Sequence, residues 1–86
     1  MLEQQVLDDQ LAVSLARAVA AANIRARREG IALGESLVTV TEYDAQGILH
    51  WRINYGPRNY ANRRGGDLIV EVGVDDAQVK SVLRGQ

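Results

Sequence analysis

The stretch that decides the fold is LVTVTEYDAQGILHWRINY, residues 37–55. The side chains of residues 37–43 follow a period of two and are rich in β-branched types, which is typical of a strand. Residues 44–47 form a predicted turn with a glycine near its end. Residues 48–55 divide into two faces, with Leu49, Trp51, Ile53 and Tyr55 on one and His50, Arg52 and Asn54 on the other. This alternation is typical of an antiparallel sheet with one buried and one solvated face. The stretch therefore predicts a β-hairpin.

Upstream of the hairpin, residues 9–29 predict one amphipathic helix. Its apolar positions recur at intervals of three or four, at Leu7, Leu11, Leu15, Ala18 and Ala22. Asp8 or Asp9 can accept the free N–H groups of the first turn, and Gly30 supplies the left-handed residue that commonly ends a helix. The small side chains of residues 18–23 allow the helix to lie close to a sheet.

Two further strands follow, at residues 68–72 and 78–83, with a turn around residues 74–77. One N-terminal helix packed on a three- to four-stranded antiparallel sheet is an α+β, two-layer arrangement. The expected core contacts join Leu11, Leu15, Ala18 and Ala22 to Val38 or Thr39, Trp51, Ile53, Leu68, Val70 and Leu83. The expected open face carries His50, Arg52, Asn54, Glu71 and Lys80.

Length and composition indicate a single small domain without a catalytic set. The chain has 86 residues, no cysteine and one histidine, with a formal net charge of −1. Ser36 and Ser81 do not lie in a nucleophile-elbow context. The pair Asp75-Asp76 is more typical of a turn than of a metal site. The sequence therefore predicts no enzyme activity, no cofactor and no metal.

The N-terminal sequence MLEQQVLDDQ is acidic where a signal peptide is basic. No apolar run approaches the roughly 20 residues that span a bilayer. The compartment stays open: periplasmic or secreted if a signal peptide was removed, and otherwise cytoplasmic.

The connection between the second and third strands, NYGPRNYANRRGGD at residues 54–67, is longer and more basic than a hairpin needs. Its glycines and Pro57 are explained as turn formers. Its arginines and Tyr60 belong to the residue types enriched in binding hot spots. Three interpretations remain: a solvated connection, a contact for an acidic protein surface, or a contact for nucleic acid, which the pI of about 5.7 disfavours.

The runs LHWRI at residues 49–53, RGGDLIVEV at residues 64–72 and VKSVLRGQ at residues 79–86 resemble small bacterial PepSY-like or cystatin-like domains, including immunity proteins with an NTF2-like fold. The resemblance implies a helix on a curved antiparallel sheet and a role in binding or inhibiting a peptidase or toxin. It implies no catalytic residue. The chain lacks the QxVxG loop of cystatins, and its turn at residues 72–76 departs from the Thr-Gly turn of the pattern.

These observations predict a non-catalytic binding or inhibitory module that contacts an acidic protein partner. The alternatives are a nucleic-acid-binding module that uses the same basic connection, and a structural domain that associates with itself through an exposed sheet edge. The predicted partner-binding residues are Arg52, Tyr55, Arg58, Tyr60, Arg63 and Arg64.

Overall fold

The computed structural model describes Gln5, residues 8–57 and residues 68–84. One helix, α1, spans Gln10–Arg28, and a short 3₁₀ turn at Leu33–Glu35 leads into the sheet. The four strands are β1 Ser36–Ala45, β2 Ile48–Pro57, β3 Leu68–Gly73 and β4 Val79–Arg84. These bounds lie within two residues of the predicted ones.

Both ends of α1 are fixed by capping. The Asp9 carboxylate accepts the N–H of Ala12 at 2.9 Å, which satisfies one of the free donors of the first turn. At the other end Gly30 has a φ of 88°, and the N–H of Ile31 donates to the Ala26 carbonyl at 3.0 Å. This is the Schellman arrangement, which a glycine adopts without steric cost.

The sheet is an antiparallel meander in the order β1-β2-β3-β4. Gln46 and Gly47 form a two-residue turn with positive φ values of 57° and 85°, as a type I′ hairpin requires. The Asp44 carboxylate accepts the Gly47 N–H at 2.6 Å. Because the turn fixes the register, Tyr43 lies opposite His50 and every later pair of β1 and β2 follows without a bulge.

The core lies between α1 and the inner face of the sheet. Its helix side consists of alanines with no exposed surface, Ala18, Ala22 and Ala26, which let the two layers approach closely. Its sheet side consists of Trp51, Ile53, Tyr55, Leu68, Val70 and Val72. One helix packed on a four-stranded antiparallel sheet confirms the predicted α+β class.

Three predicted core residues are more than two-fifths exposed. Leu11 is 60% exposed and lies near the start of α1, whereas the helix residues that pack in the core begin at Leu15. Val38 is 43% exposed on the open edge strand, where no neighbouring strand in the described residues covers it. Leu83 is 48% exposed and lies opposite Ile69 on the outer face, so its predicted inward position is wrong.

A β-bulge explains the error at β4. Ser81 lies opposite Glu71 and Val79 lies opposite Val72, so Lys80 is an extra residue without a partner in β3. Beyond an extra residue, the side chains of a strand that would have faced outward face inward, and the reverse. Val79 and Val82 therefore both contact the core although they are three residues apart.

Candidate functional site

The helix and the strands are aligned, so several chain segments lie close together at each end of the molecule. The C-terminal part of α1 lies where β2 ends, because the Tyr55 hydroxyl donates to Asn23 Oδ1 at 2.6 Å. The end of β4 lies there too, since Arg84 Nη2 donates to the Glu29 carbonyl at 2.7 Å. Tyr55 pairs with Leu68, so β3 begins at the same place. Pro57 and Leu68, the described residues on either side of residues 58–67, therefore both lie at this end.

This end is basic, and we call the arginines that the structure describes there the basic end: Arg25, Arg27, Arg28 and Arg84. Arg25 and Arg84 share the Glu29 carboxylate, at 3.1 Å and 3.6 Å. Arg27 and Arg28 are exposed and form no ion pair with any described residue. The helix C-terminus favours positive charge, and Arg27 and Arg28 have no carboxylate partner within the described residues.

The opposite end is acidic. It contains the start of α1, the β1–β2 turn and the β3–β4 turn, because Ser14 Oγ donates to the Val74 carbonyl at 3.2 Å and Val74 N–H donates to the Leu49 carbonyl at 3.2 Å. Its carboxylates are Asp8, Asp9, Glu42, Asp44, Asp75 and Asp76. Lys80 neutralises one of them through a 2.6 Å contact with Asp76. The small net charge of the chain therefore conceals a strong separation of charge.

The outer face of the sheet carries a network that crosses all four strands. The Arg52 guanidinium lies 4.4 Å from the centre of the Tyr43 ring, and the Tyr43 ring stacks with His50 at 5.5 Å. Arg52 Nη2 is 2.9 Å from Glu71 Oε2, and Ser81 Oγ donates to Glu71 Oε1 at 2.6 Å. We call these residues the outer-face network: Tyr43, His50, Arg52, Glu71 and Ser81.

Glu71 is the most enclosed charge of this network, with its side chain 13% exposed. The hydrogen bond from Ser81, with further contacts from Tyr43 and Arg52, lowers the pKa of Glu71 below its ordinary value. The carboxylate is therefore ionised at neutral pH and holds Arg52 in place. Arg52 is half-exposed, but its charge already has a partner within the sheet.

Tyr55 does not lie on a contact surface. Its side chain is 2% exposed and belongs to the core between α1 and the sheet. Its position on the apolar face of β2 explains this burial, because the ring faces α1 and only the hydroxyl finds a polar partner, Asn23. Its predicted role in partner binding is corrected to a structural one.

We expect Tyr55 to be the last tyrosine to ionise at high pH. Burial raises the pKa of Tyr55 from 10.0 to about 12, although the nearby Arg27 lowers it in part. Because the fold favours the neutral phenol, this contribution to stability is complete below pH 10.0 and is lost as the pH rises through about 12. Tyrosinate absorbance measured against pH should show a step near pH 12.

Two variants test whether that step in absorbance comes from Tyr55. Tyr55→Phe should remove it, and Tyr43→Phe should leave it in place. Complete ionisation of the wild-type tyrosines by about pH 11 would contradict the burial of this hydroxyl.

The remaining predicted site residues divide between the described and undescribed parts of the chain. Arg58, Tyr60, Arg63 and Arg64 lie outside the described residues, as does Leu7 of the predicted apolar stripe. Arg52 lies on the outer face, as predicted. Tyr43 was not among the predicted site residues. It lies as many residues before the two-residue turn as His50 lies after it, so the two rings are opposite one another.

An open depression of about 380 Å³ lies between the first half of α1 and the β3–β4 turn. Ser14, Arg17, Asp75 and Asp76 are among the residues that line it. Within the described ranges, no group of three or more His, Cys, Asp or Glu side chains is placed to hold a metal ion. In the same ranges, no helix has both the length and the apolar character required to cross a membrane.

Comparisons with protein families, with curated proteins and with solved structures find no match to this chain. The resemblance to PepSY-like and cystatin-like domains therefore stays a prediction. The functional interpretation therefore rests on the structure of the chain itself.

Proposed function

We propose that the chain is a non-catalytic binding or inhibitory module that recognises an acidic protein surface through its basic end. The observation that carries this proposal is the convergence of Arg25, Arg27, Arg28 and Arg84 at the end of the sheet where β2 ends and β3 begins. In the sequence these basic groups are separate. The fold brings the helix and strand groups to one end, where the described chain stops at Pro57 and resumes at Leu68. Arg58, Arg63 and Arg64 of the intervening segment are proposed to belong to this surface.

Electrostatic complementarity favours this mode of recognition. Clustered like charges on one surface raise the rate of encounter with an opposite charge and disfavour wrong partners. Arg27 and Arg28 are already exposed and without ion pairs among the described residues. A carboxylate of a partner therefore meets them without first breaking an ion pair to any described residue. The guanidinium group suits a carboxylate because it donates two parallel hydrogen bonds.

The outer face is poorly suited to stacking with nucleic-acid bases. Single-stranded nucleic acids are bound by aromatic side chains whose ring faces are free to stack. The Tyr43 ring already contacts both His50 and the Arg52 guanidinium. This leaves less of its surface for a base, and disfavours the outer face as a site for stacked bases.

The proposal is tested by fluorescence anisotropy with three labelled probes: a peptide rich in glutamate, the same peptide with glutamine in place of glutamate, and a single-stranded RNA of similar length. We expect the glutamate peptide to bind at least about tenfold more tightly than the glutamine peptide at low salt, and to lose this advantage at high salt. Equal affinity for the two peptides would contradict the proposal. Tighter binding of the RNA, with a steep dependence on salt, would instead establish the nucleic-acid alternative.

A further inference from the structure

The two edges of the sheet differ in how they are protected against pairing. Edge strands are commonly protected by bulges and by charged side chains, above all lysine. β4 has both, because Lys80 is the extra residue of its bulge. β1 runs for ten residues in unbroken register with β2. Its residues 37–41 are LVTVT, without a charge or a proline, and no described strand pairs with its other side.

The hydrogen-bond directions of β1 follow from one bond in the neighbouring strands. The Leu49 carbonyl accepts the N–H of Val74, so odd-numbered residues of β2 direct their backbone groups toward β3. Even-numbered residues of β2 therefore bond to β1, and they lie opposite odd-numbered residues of β1. The backbone groups of Val38, Val40 and Glu42 consequently face the open edge.

We propose that this edge pairs with β1 of a second copy of the chain, antiparallel, about a two-fold axis at Thr39. In this register Val38 of each copy forms a hydrogen-bonded pair with Val40 of the other. The valine side chains of both copies share the inner face, where Val38 is 43% exposed in the single chain. An axis at Val40 or Thr41 would instead place a valine opposite Glu42 in both halves. The result is a continuous sheet of two copies.

The sequence of the edge supports a second copy as its occupant. A two-fold axis at Thr39 places valine opposite valine in both halves of the pairing, because Val38 and Val40 lie symmetrically about Thr39. The same two-fold axis places the two helices on one side of the joined sheet and the two outer-face networks on the other. The inference does not rest on the proposed function.

Light scattering across concentrations tests the association. We expect the wild-type mass to rise from 9.4 kDa toward twice that value as concentration increases to about 0.5 mM. Val38→Lys should keep the chain monomeric, because it places a charge at the centre of the interface. Ile48→Lys is the matched control: Ile48 is 62% exposed but lies outside the paired segment, so this variant should associate as the wild type does. A wild type that stays monomeric, or equal effects of the two variants, would overturn the inference.

A disulfide tests the register, and the chain has no cysteine to interfere. Two Thr39 residues at the axis would form a non-hydrogen-bonded pair with Cα atoms about 4.5 Å apart, within the range of a disulfide. Thr39→Cys should therefore cross-link to a dimer under mild oxidation. Thr41→Cys, on the same face of the same strand, should not, because its two copies would lie about 13 Å apart. Equal cross-linking of both variants, or cross-linking of neither, would overturn the proposed pairing.

Discussion

Replacing Trp51 by alanine is expected to lower the free energy of unfolding by about 3–5 kcal/mol. Trp51 is 6% exposed and lies between Glu42 of β1 and Val72 of β3, on the face that packs against α1. Removing its side chain leaves a cavity that the surrounding alanine-rich helix cannot fill by moving a larger side chain. A chain of this length is stabilised by roughly 4–13 kcal/mol in total. The variant therefore loses a large share of its free energy of unfolding.

The hydrogen bonds of Trp51 add to this effect. Its indole Nε1–H donates to Ser14 Oγ at 3.0 Å, and Ser14 Oγ donates in turn to the Val74 carbonyl at 3.2 Å. The two bonds join β2, α1 and the β3–β4 turn. Trp51→Phe keeps a ring in the core but removes the indole donor, so it should cost less than Trp51→Ala, by an amount that reports how well the smaller ring fills the space.

Chemical denaturation followed by circular dichroism measures these differences, because the variants lack the only tryptophan. Leu49→Ala is the matched control. Leu49 lies two residues earlier on the same face of the same strand and is 48% exposed, so its truncation should cost less than about 1 kcal/mol. If Trp51→Ala proved no more destabilising than Leu49→Ala, the packing described between α1 and the sheet would be wrong.

The second large effect is expected on binding rather than on stability. Replacing Arg27, Arg28, Arg58, Arg63 and Arg64 together by glutamine should weaken binding of the glutamate-rich peptide by about a hundredfold at low salt, since each exposed ion pair contributes roughly 0.5–1 kcal/mol. The thermal stability should change little, because neither Arg27 nor Arg28 forms an ion pair with a described residue. Fluorescence anisotropy and thermal denaturation of the same samples separate the two effects.

A single substitution at each of two helix positions controls for net charge. Arg27→Gln and Arg17→Gln remove the same charge from α1, but Arg17 lines the depression beside Asp75 and Asp76, away from the basic end. We expect Arg27→Gln to weaken peptide binding by about threefold and Arg17→Gln to leave it unchanged. Equal effects would mean that total charge, and not the position of the arginines, governs binding.

The sequence was sufficient for the elements that depend on local chemistry. The period of two in β1 and β2, the aspartate before α1 and Gly30 after it all act within a few residues, and the helix and hairpin follow from them. The inward side of β4 could not be predicted, because the bulge at Lys80 arises from pairing with β3. The exposure of Leu11 depends on where the sheet ends relative to α1, which no local pattern records.

The candidate site was only partly predictable for a similar reason. The sequence shows basic segments at the end of α1 and after β2. Whether the end of β2 lies beside the end of α1 depends on the direction of every strand in the meander. The sequence predicted two roles for Tyr55. Its position on the apolar face of β2 predicts burial, whereas the basic connection that follows it predicts a part in partner binding. The structure places it in the core, with its hydroxyl bonded to Asn23.

Mapping the backbone amide shifts by NMR during titration with the glutamate-rich peptide tests the role of the basic end most directly. The largest changes should fall on Arg27, Arg28 and Arg84 and on the residues next to the 58–67 segment. The amides of Gln46 and Gly47 and of the β3–β4 turn, at the acidic end, should not move. Changes concentrated at the acidic end or on the outer-face network would contradict recognition through the basic end.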